Sequence, residues 1–327
     1  MNRTFDIAVI GATSLVGEAL LELLDEREFP VGKLTALACD EAIGQVASFR
    51  ERNLRVRALD AFDLTDVALV FVLEPLAPAQ RARIKAAGCA LVDLSGAPGS
   101  APCVAAQANP QALVGRQVRA PLPAVVALAE VLAPLAGLLS LRRVTLTACL
   151  AVSAHGREGI EELARQTAQL LNARPLEPGL FGRQIAFNLL AASGAEEDGH
   201  GVDERRLAGE LREVLALPEL PVAATCVQAP VFFGDSLAVS LQCAAPVDLE
   251  AVERCLDAAP GVERIEAGDW PTAVGDAVGQ ESVYVGRLRR GLHDPCQLDL
   301  WIVSDNVRKG AALNAVQLAE LLLNPRP

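Results

Sequence analysis

The feature that most constrains the fold of this chain is a turn bounded by two glycines, which lies between an apolar strand and a helix. The apolar run at residues 7–10 is followed by residues 11–17 (Gly-Ala-Thr-Ser-Leu-Val-Gly) and then by a helical pattern over residues 18–24. Such a βα turn leaves the first N–H groups of the helix unpaired, and with the helix dipole they attract a pyrophosphate. Gly11 permits the tight turn, and Gly17 lets the helix approach the strand. The pattern predicts a nucleotide-binding α/β domain.

Length, charge and cysteine usage narrow the class of protein. A chain of 327 residues favours two domains, and a net charge of -12 argues against a nucleic-acid or anionic membrane partner. The eight cysteines form no CxxC pair and the three histidines show no ligand spacing. We therefore expect reduced thiols, no metal site and, with a strand so near the start, a cytoplasmic protein without a signal peptide. The apolar stretch at residues 120–141 contains Glu130 and three prolines, which favours a buried helix over a membrane span.

The order of elements predicts two domains of different type. In the first third, short apolar strands alternate with helices, which is typical of a parallel, doubly wound sheet (strands 33–39, 66–73 and 90–93, helix 78–87, and an edge or antiparallel strand at 54–59). Later strands and helices indicate an α+β domain with a mostly antiparallel sheet (strands 141–151, 222–228, 236–244 and 297–304, helices 157–171 and 202–215, a glycine-rich loop at 194–201). A last helix at 310–323 is expected to pack on the first domain. The predicted domains are residues 1–125 with 308–327, and residues 126–307.

Four segments carry a resemblance to a known family. They are residues 11–17, 185–188 (Ile-Ala-Phe-Asn), 224–226 running into 230–234 (Pro-Val-Phe-Phe-Gly), and 301–312 with 314–317. With them the chain resembles the aspartate-semialdehyde dehydrogenase family over almost its full length, and most of all its usg-type paralogues. The resemblance implies a Rossmann-like dinucleotide-binding domain, a dimerisation domain and a homodimer. It also implies NADP-dependent reductive dephosphorylation of aspartyl phosphate, an oxidoreductase reaction of amino-acid biosynthesis.

The catalytic groups that this family uses are substituted in this chain. The family needs a cysteine nucleophile, a glutamine beside it, an arginine for the substrate carboxylate and a histidine that moves the proton. The corresponding positions are Val125, Leu150, Gln228 and Asp235. The family's phosphate-binding arginine is also missing from residues 95–99. Arg206, one helical turn after Asp203, either belongs to the remaining phosphate site or forms a surface ion pair.

Four side chains are candidate substitutes for the lost groups. Cys149 adjoins Leu150 but should face the other side of its strand. His155 lacks a thiol or serine partner in the pattern. Asp235 and Gln228 together could line a polar pocket for a different ligand.

The cofactor positions are altered as well. The resemblance places the dinucleotide on the first turn and on one later residue (Gly11, Thr13, Ser14, Leu15, Val16 and Asn306). Glu41 stands where the family has an arginine for the 2′-phosphate of NADP, and an acid there suits the ribose hydroxyls of NAD. The side chains of residues 72–75 (Val-Leu-Glu-Pro) replace a Gly-Gly turn and should crowd that surface. We expect NADP to bind poorly and NAD to be preferred if a dinucleotide binds.

Three functions remain open from the sequence. The first is a pseudoenzyme that keeps the dimeric scaffold and acts by binding, through a protein partner or mixed dimers. The second is an active dehydrogenase of the family. The third is altered chemistry in the old cleft. The absent cysteine favours the first, because a valine cannot attack a carbonyl or acyl phosphate.

Overall fold

The chain divides into two compact units. A computed structural model describes residues 4–39, 41–191 and 195–323. The first unit consists of Met1–Pro121 and Ala311–Pro327, and the second of Leu122–Gly310.

A parallel sheet forms the centre of the first unit. Its elements before residue 121 are β1 (Phe5–Ile10), α1 (Leu15–Glu26), β2 (Val31–Ala38), β3 (Val46–Phe49), β4 (Arg52–Arg55), β5 (Arg57–Ala58), β6 (Leu69–Val72), α2 (Pro78–Ala87), β7 (Ala90–Asp93) and β8 (Gln117–Arg119). The main sheet has the order β5-β2-β1-β6-β7-β8, and every pairing in it is parallel. The doubly wound domain predicted from the alternation of strands and helices is confirmed.

Two local predictions in this unit have different outcomes. The helix at 78–87 is correct, with Pro78 in its first turn and Gly88 ending it at φ +71°. The single strand predicted at 54–59 is wrong in extent. Its first part belongs to β4, which pairs antiparallel with β3, and its later part is β5 at the sheet edge. The chain passes from one sheet to the other at Val56, between β4 and β5. The N–H of Val56 donates to the carbonyl of Gln45, and the carbonyl of Val56 accepts from the N–H of Gly44.

The second unit is built on a mixed sheet. Its helices and strands are α3 (Pro123–Leu138), β9 (Leu141–Leu150), α4 (Gly156–Leu171), β10 (Glu196–Glu197), β11 (His200–Gly201), α5 (Val202–Val214), β12 (Val222–Gln228), β13 (Asp235–Cys243), α6 (Leu249–Asp257), β14 (Val262–Arg264), β15 (Val283–Arg290) and β16 (Gln297–Ser304). The sheet order is β12-β9-β13-β16-β15-β14. The three inner pairings are antiparallel and the two outer ones parallel, so the mostly antiparallel sheet is confirmed.

Some elements of this unit differ from the predictions. The strands at 222–228 and 297–304 are correct to the residue, whereas α6, β14 and β15 were not predicted. The polar loop expected at 194–201 contains the short hairpin of β10 and β11, and its residue 194 lies outside the described residues.

The two faces of the mixed sheet have different surroundings. Helices α3, α5 and α6 pack against the strands on one side. Along β13, Leu237, Val239 and Leu241 are buried while Ala238 between them is exposed. This alternation is that of a sheet with one covered and one open face.

The last helix, α7 (Asn314–Leu323), packs against α1 and β7 of the first unit. It begins four residues later than predicted because Arg308–Leu313 form a π-helical turn before it. The side chain of Asn314 accepts a hydrogen bond from the N–H of Ala106 at 2.8 Å. No helix in the described part of the chain is long and apolar enough to cross a membrane. The apolar stretch around Glu130 forms α3 within the second unit.

Candidate functional site

The turn between β1 and α1 has a closed, hydrogen-bonded form. Gly11 has φ +87°, a conformation that glycine adopts without strain. The hydroxyl of Ser14 donates to the carbonyl of Gly11 at 2.8 Å and accepts from the N–H of Gly17 at 3.0 Å. A Cβ on Gly17 would stand 2.4 Å from the Gly11 carbonyl oxygen, so only glycine permits this close approach.

This turn leaves backbone donors at the helix start. Ser14 occupies the N-cap position and its hydroxyl satisfies one amide of the first turn. Within the described residues, the N–H groups of Leu15 and Val16 have no acceptor. Free amides at a helix N-terminus fit a pyrophosphate. Thr13 is half-buried at the same turn.

Side chains that follow β6 cover part of this turn. The Cβ of Leu73 is 3.2 Å and Oε2 of Glu74 is 3.4 Å from the position that a Cβ on Gly11 would take. Oε1 of Glu74 accepts a hydrogen bond from the N–H of Cys39 at 3.3 Å. Glu41 is exposed in the turn after β2. Two of the side chains expected to crowd the surface therefore lie over Gly11, and Pro75 is exposed.

In the second unit, strand ends bring together three of the four residues that we expect at the family's catalytic positions. Leu150 ends β9, Gln228 ends the neighbouring β12, and Asp235 begins β13 on the other side of β9. Nε2 of Gln228 donates to the carbonyl of Leu150 at 2.8 Å. The carboxylate of Asp235 accepts from the N–H of Ala151 at 3.0 Å. The side chains of Gln228 and Asp235, which we expect at the arginine and histidine positions, thus both bond to the backbone at the end of β9.

Gln228 also contacts His155. Its Oε1 lies 2.9 Å from Nε2 of His155, and because its amide nitrogen donates to Leu150, Nε2 of His155 must be the donor in this bond. The His155 ring also meets the ring of Phe181 edge-on, with centroids 5.1 Å apart. Gln228 is only 2 % exposed, so its polar groups are satisfied inside the protein.

Asp235 is a buried acid. Burial, together with the charge of nearby Asp305, raises the pKa of Asp235 to about 7 against the opposing effect of the hydrogen bond from Ala151. Asp305 is itself tied to the backbone, since it accepts from the N–H groups of Gly279, Val307 and Arg308. A buried carboxyl of this kind is partly neutral near neutral pH.

Val125 lies in the first turn of α3 and is fully buried. The helix begins at Pro123, where the N–H of Leu122 donates to the carboxylate of Glu210 at 2.7 Å. The π-helical turn that begins at Arg308 approaches the same point, because a Cβ on Gly310 would stand 2.6 Å from Cβ of Pro123. The residue expected at the nucleophile position is therefore an aliphatic side chain in a close-packed helix start.

Arg206 and Asn306 are both engaged within the second unit. Nε of Arg206 donates to Glu210 at 2.6 Å, so its ion pair is with Glu210 and not with Asp203. The amide of Asn306 accepts from the N–H of Gly234 at 3.0 Å and donates to the hydroxyl of Ser153 at 3.0 Å. Asn306 is 4 % exposed.

The thiols near the strand ends are poor nucleophiles. Burial, with the charge of Asp235, raises the pKa of Cys149. Burial and neighbouring carboxylates raise the pKa of Cys226 to about 12. The thiolate is the reactive form, and neither environment favours it. Cys149 pairs with Ser236 on the open side of the sheet, and Leu150 next to it points the other way.

Two charged side chains in the second unit form a buried ion pair that the sequence analysis did not predict. Lys309 Nζ lies 2.9 Å from Oε2 of Glu130, and both side chains are 1 % exposed. Burial raises the pKa of Glu130 to about 7, against the attraction of Lys309. The signal was present in the sequence, because an isolated carboxylate in an apolar helix needs a buried partner. In the described part of the chain, no group of three or more histidine, cysteine or acidic side chains is arranged to hold a metal ion.

Comparisons with known proteins identify the family. The family model for the semialdehyde dehydrogenase NAD binding domain matches residues 6–116, and the model for the semialdehyde dehydrogenase dimerisation domain matches residues 132–309. The chain is also 37 % identical to aspartate-semialdehyde dehydrogenase 2 of Vibrio cholerae, over 99 % of both chains. The chain belongs to the aspartate-semialdehyde dehydrogenase family.

Two further matches, one to a sequence and one to a solved structure, have higher identity. One is a USG-1 protein homolog of Pseudomonas aeruginosa, 54 % identical over 99 % of both chains. The other is a solved structure described as a probable aspartate-semialdehyde dehydrogenase from Pseudomonas aeruginosa, which has a TM-score of 0.93 and 53 % identity over 99 % of both chains. The predicted resemblance to the aspartate-semialdehyde dehydrogenase family and its usg-type paralogues is confirmed.

Proposed function

We propose that this chain is a dimeric, non-catalytic member of the aspartate-semialdehyde dehydrogenase family that retains a nucleotide crevice with a preference for NAD. The observation that most supports a non-catalytic protein is the fully buried Val125 at the expected nucleophile position. An aliphatic side chain forms no thioester, and the thiols of Cys149 and Cys226 are held in the protonated form. The family implies a role in amino-acid biosynthesis, and we propose that this protein performs it by binding another molecule and not by catalysis.

The substrate-binding and proton-transfer positions support the same conclusion. An arginine binds a carboxylate through two parallel charged hydrogen bonds, which the neutral amide of Gln228 cannot supply. That amide is already bonded to His155 and Leu150. Asp235 is 4 % exposed and accepts a backbone hydrogen bond, as expected of a structural carboxyl. His155 remains the candidate base for the alternative of altered chemistry in the old cleft.

The nucleotide crevice keeps part of what a dinucleotide needs. The amides of Leu15 and Val16 would hold the pyrophosphate, and the nicotinamide of a bound dinucleotide would supply hydride transfer. A 2′-phosphate would meet the carboxylate of Glu74 at the end of β2 and that of Glu41 just beyond it. Like charges repel strongly at short range, which favours NAD over NADP.

The open face of the mixed sheet supports a homodimer. Small or half-exposed side chains from adjacent strands form this face (Thr145, Thr147, Ala238, Ser240 and Trp301). They lie side by side, since Ala238 pairs with Thr147 on one side and with Trp301 on the other. These residues lie within the part that matches the dimerisation domain model. We propose a second copy of this chain as the occupant, with a mixed dimer or another protein as the alternatives.

A turnover assay tests the lack of activity. Purified protein is given aspartate semialdehyde, phosphate and either NADP or NAD, and formation of the reduced nicotinamide is followed. We expect no rate above the protein-free blank. Val125→Cys alone should also be inactive, because the arginine and histidine positions remain Gln228 and Asp235. A rate that scales with protein concentration and is lost in Gln228→Ala or His155→Ala would overturn the proposal.

A further inference from the structure

Two cysteines face each other at one end of the strands β13 and β16 in the second unit. Cys243 ends β13, and Cys296 immediately precedes β16. The antiparallel register pairs Gln242 with Gln297, so Cys243 and Cys296 are the next pair outward. The N–H of Cys243 donates to the carbonyl of Cys296 at 2.8 Å, which continues the hydrogen bonding between the two strands. The two cysteines are therefore directly opposite each other.

Both side chains point to the covered face of the sheet. Leu241, two residues before Cys243, and Leu298, two residues after Cys296, pair with each other and are fully buried. Side chains alternate along a strand, so the two thiols lie on the same face as these leucines. Cys243 is 4 % exposed, whereas Cys296 is half-buried. Of the two residues, Cys296 is therefore the one that a reagent in solution reaches first.

The spacing of this pair fits a disulfide. The Cα atoms of a hydrogen-bonded antiparallel pair are about 5.5 Å apart, and a disulfide spans about 4.4–6.8 Å between Cα atoms. Opposite Cβ atoms are about 4.5–5.5 Å apart, so bond formation needs them to approach by roughly 1 Å. The N–H of Cys296 donates to Oδ1 of Asp294 at 2.8 Å instead of continuing the ladder, so this end of the strand pair can adjust. A disulfide that departs from ideal spacing is easier to reduce, which suits a reversible site.

The two thiols differ in reactivity. Burial, together with the charges of Cys296 and Asp294, raises the pKa of the Cys243 thiol. A buried, protonated thiol attacks a reagent slowly, because the thiolate is the reactive form. Cys243 is therefore suited to react second, with a sulfur that is already held opposite it.

We propose that Cys243 and Cys296 are a thiol pair that low-molecular-weight disulfides oxidise reversibly to a cross-strand disulfide. The Cys296 thiolate attacks one sulfur of the reagent, forms a mixed disulfide and releases one reagent thiolate. The Cys243 thiol then loses its proton and attacks Sγ of Cys296, which releases the second reagent thiolate. Two protein thiols become one disulfide, and the reagent disulfide becomes two thiols that take up the two protons. This site goes beyond the proposed function and does not depend on it.

The other two cysteines on the strands of this sheet lie opposite residues of other types. Cys149 lies between Ser236 and Val227, and Cys226 lies opposite Ala148. The competing interpretation is that Cys243 and Cys296 only fill space between β13 and β16. A thiol pair that only packs would react with the reagent singly, and its two sulfurs would not join.

Peptide mapping of the full-length protein distinguishes the two interpretations. Reduced protein is freed of reductant and incubated with excess oxidised glutathione, its remaining thiols are alkylated, and its peptides are mapped by mass spectrometry. We expect a peptide pair joined between Cys243 and Cys296 that dithiothreitol removes. In mixtures of oxidised and reduced glutathione, the cross-linked fraction should follow a single two-electron transition.

Three variants assign the steps. Cys243→Ala should stop after the first attack, with glutathione attached to Cys296. Cys296→Ser should leave Cys243 as an unmodified thiol. The matched control is Cys255→Ser, which removes a half-buried cysteine from α6 and should keep the cross-link.

Three results in the wild-type protein would overturn the proposal. Glutathione that accumulates on Cys296 without joining Cys243 would show that the second thiol is out of reach. A disulfide from either residue to Cys255 would assign the partner differently. A cross-link that forms only in urea would show that the folded strands do not admit it. Because these results are obtained with wild-type protein, a variant that folds poorly does not decide the outcome.

Discussion

Gln228 and His155 are joined by a hydrogen bond of 2.9 Å between Oε1 and Nε2. The other end of the same amide donates to the carbonyl of Leu150. The position at which the family's arginine is expected therefore links the end of β12 to β9 and to the turn before α4. This amide therefore holds the protein's own backbone and side chains together.

Gln228→Ala should lower the free energy of unfolding by about 1–3 kcal/mol, because a buried carbonyl and an imidazole N–H lose their partner. Urea unfolding monitored by circular dichroism measures it. A double-mutant cycle with His155→Ala isolates the interaction energy between the two side chains. We expect the double variant to lose less unfolding free energy than the two single variants lose together. Strict additivity of the two changes would contradict the bond.

The buried pair of Lys309 and Glu130 leads to a second prediction. Lys309→Met leaves a carboxylate without its cation in a site that is 1 % exposed, and should cost about 3–5 kcal/mol of stability. The double variant Lys309→Met, Glu130→Leu removes both charges and should recover most of that loss. Equal stability of the single and double variants in urea unfolding would show that the pair does not interact as described.

Asp235 makes stability depend on pH. Its pKa in the folded protein is about 7 against an ordinary value of 3.8, so between these values the folded state retains a proton that the unfolded chain has lost. Stability should therefore fall as pH rises through this window, by up to about 1.4 kcal/mol per pH unit for one proton. Glu130 contributes in the same direction over its own range.

The variant Asp235→Asn tests this dependence, because an amide oxygen can still accept from the N–H of Ala151. Unfolding free energies at several pH values between 4.5 and 7.5 should decline less steeply in the variant than in wild type. Identical slopes would mean that Asp235 titrates normally.

The open sheet face gives a prediction on assembly. Ala238→Arg places a long charged side chain at its centre, between Thr147 and Trp301, and should convert a dimer to a monomer. The matched control is Ala86→Arg on the exposed side of α2 in the first unit, which should stay dimeric. Sedimentation velocity distinguishes the two. A dimeric Ala238→Arg variant, or a monomeric wild type, would contradict a homodimer built on this face.

The parts of the fold that the sequence predicted well have strong local signals. Pro78 and Gly88 mark both ends of α2, and short apolar runs mark β1 and β7. The strand β15 was missed because its polar side chains and arginines obscure the alternation, and β14 was missed because it has only three residues. The start of α7 was misplaced because a π-helical turn has no distinct sequence pattern.

The sequence predicts which catalytic groups of the family are absent, but it does not predict which contacts the side chains in their place make. The prediction that Val125 replaces the family's cysteine rests on the resemblance of the surrounding segment alone. That Glu74 reaches across β1 to Cys39, or that Gln228 bonds to His155, depends on side-chain paths between strands that are distant in sequence. Such contacts arise from sheet order, which places β6 and β2 on either side of β1.

The most direct test of the central claim asks whether any of the eight cysteines has taken over the reaction. The protein is incubated with aspartate semialdehyde and oxidised NAD or NADP, without phosphate, and its intact mass is measured. Family chemistry would oxidise the aldehyde onto a thiol and leave an acyl thioester, with the hydride passing to the dinucleotide. We predict no mass increase that depends on the oxidised dinucleotide. A stoichiometric, dinucleotide-dependent adduct on a single cysteine would contradict the proposal that this chain has lost the dehydrogenase reaction.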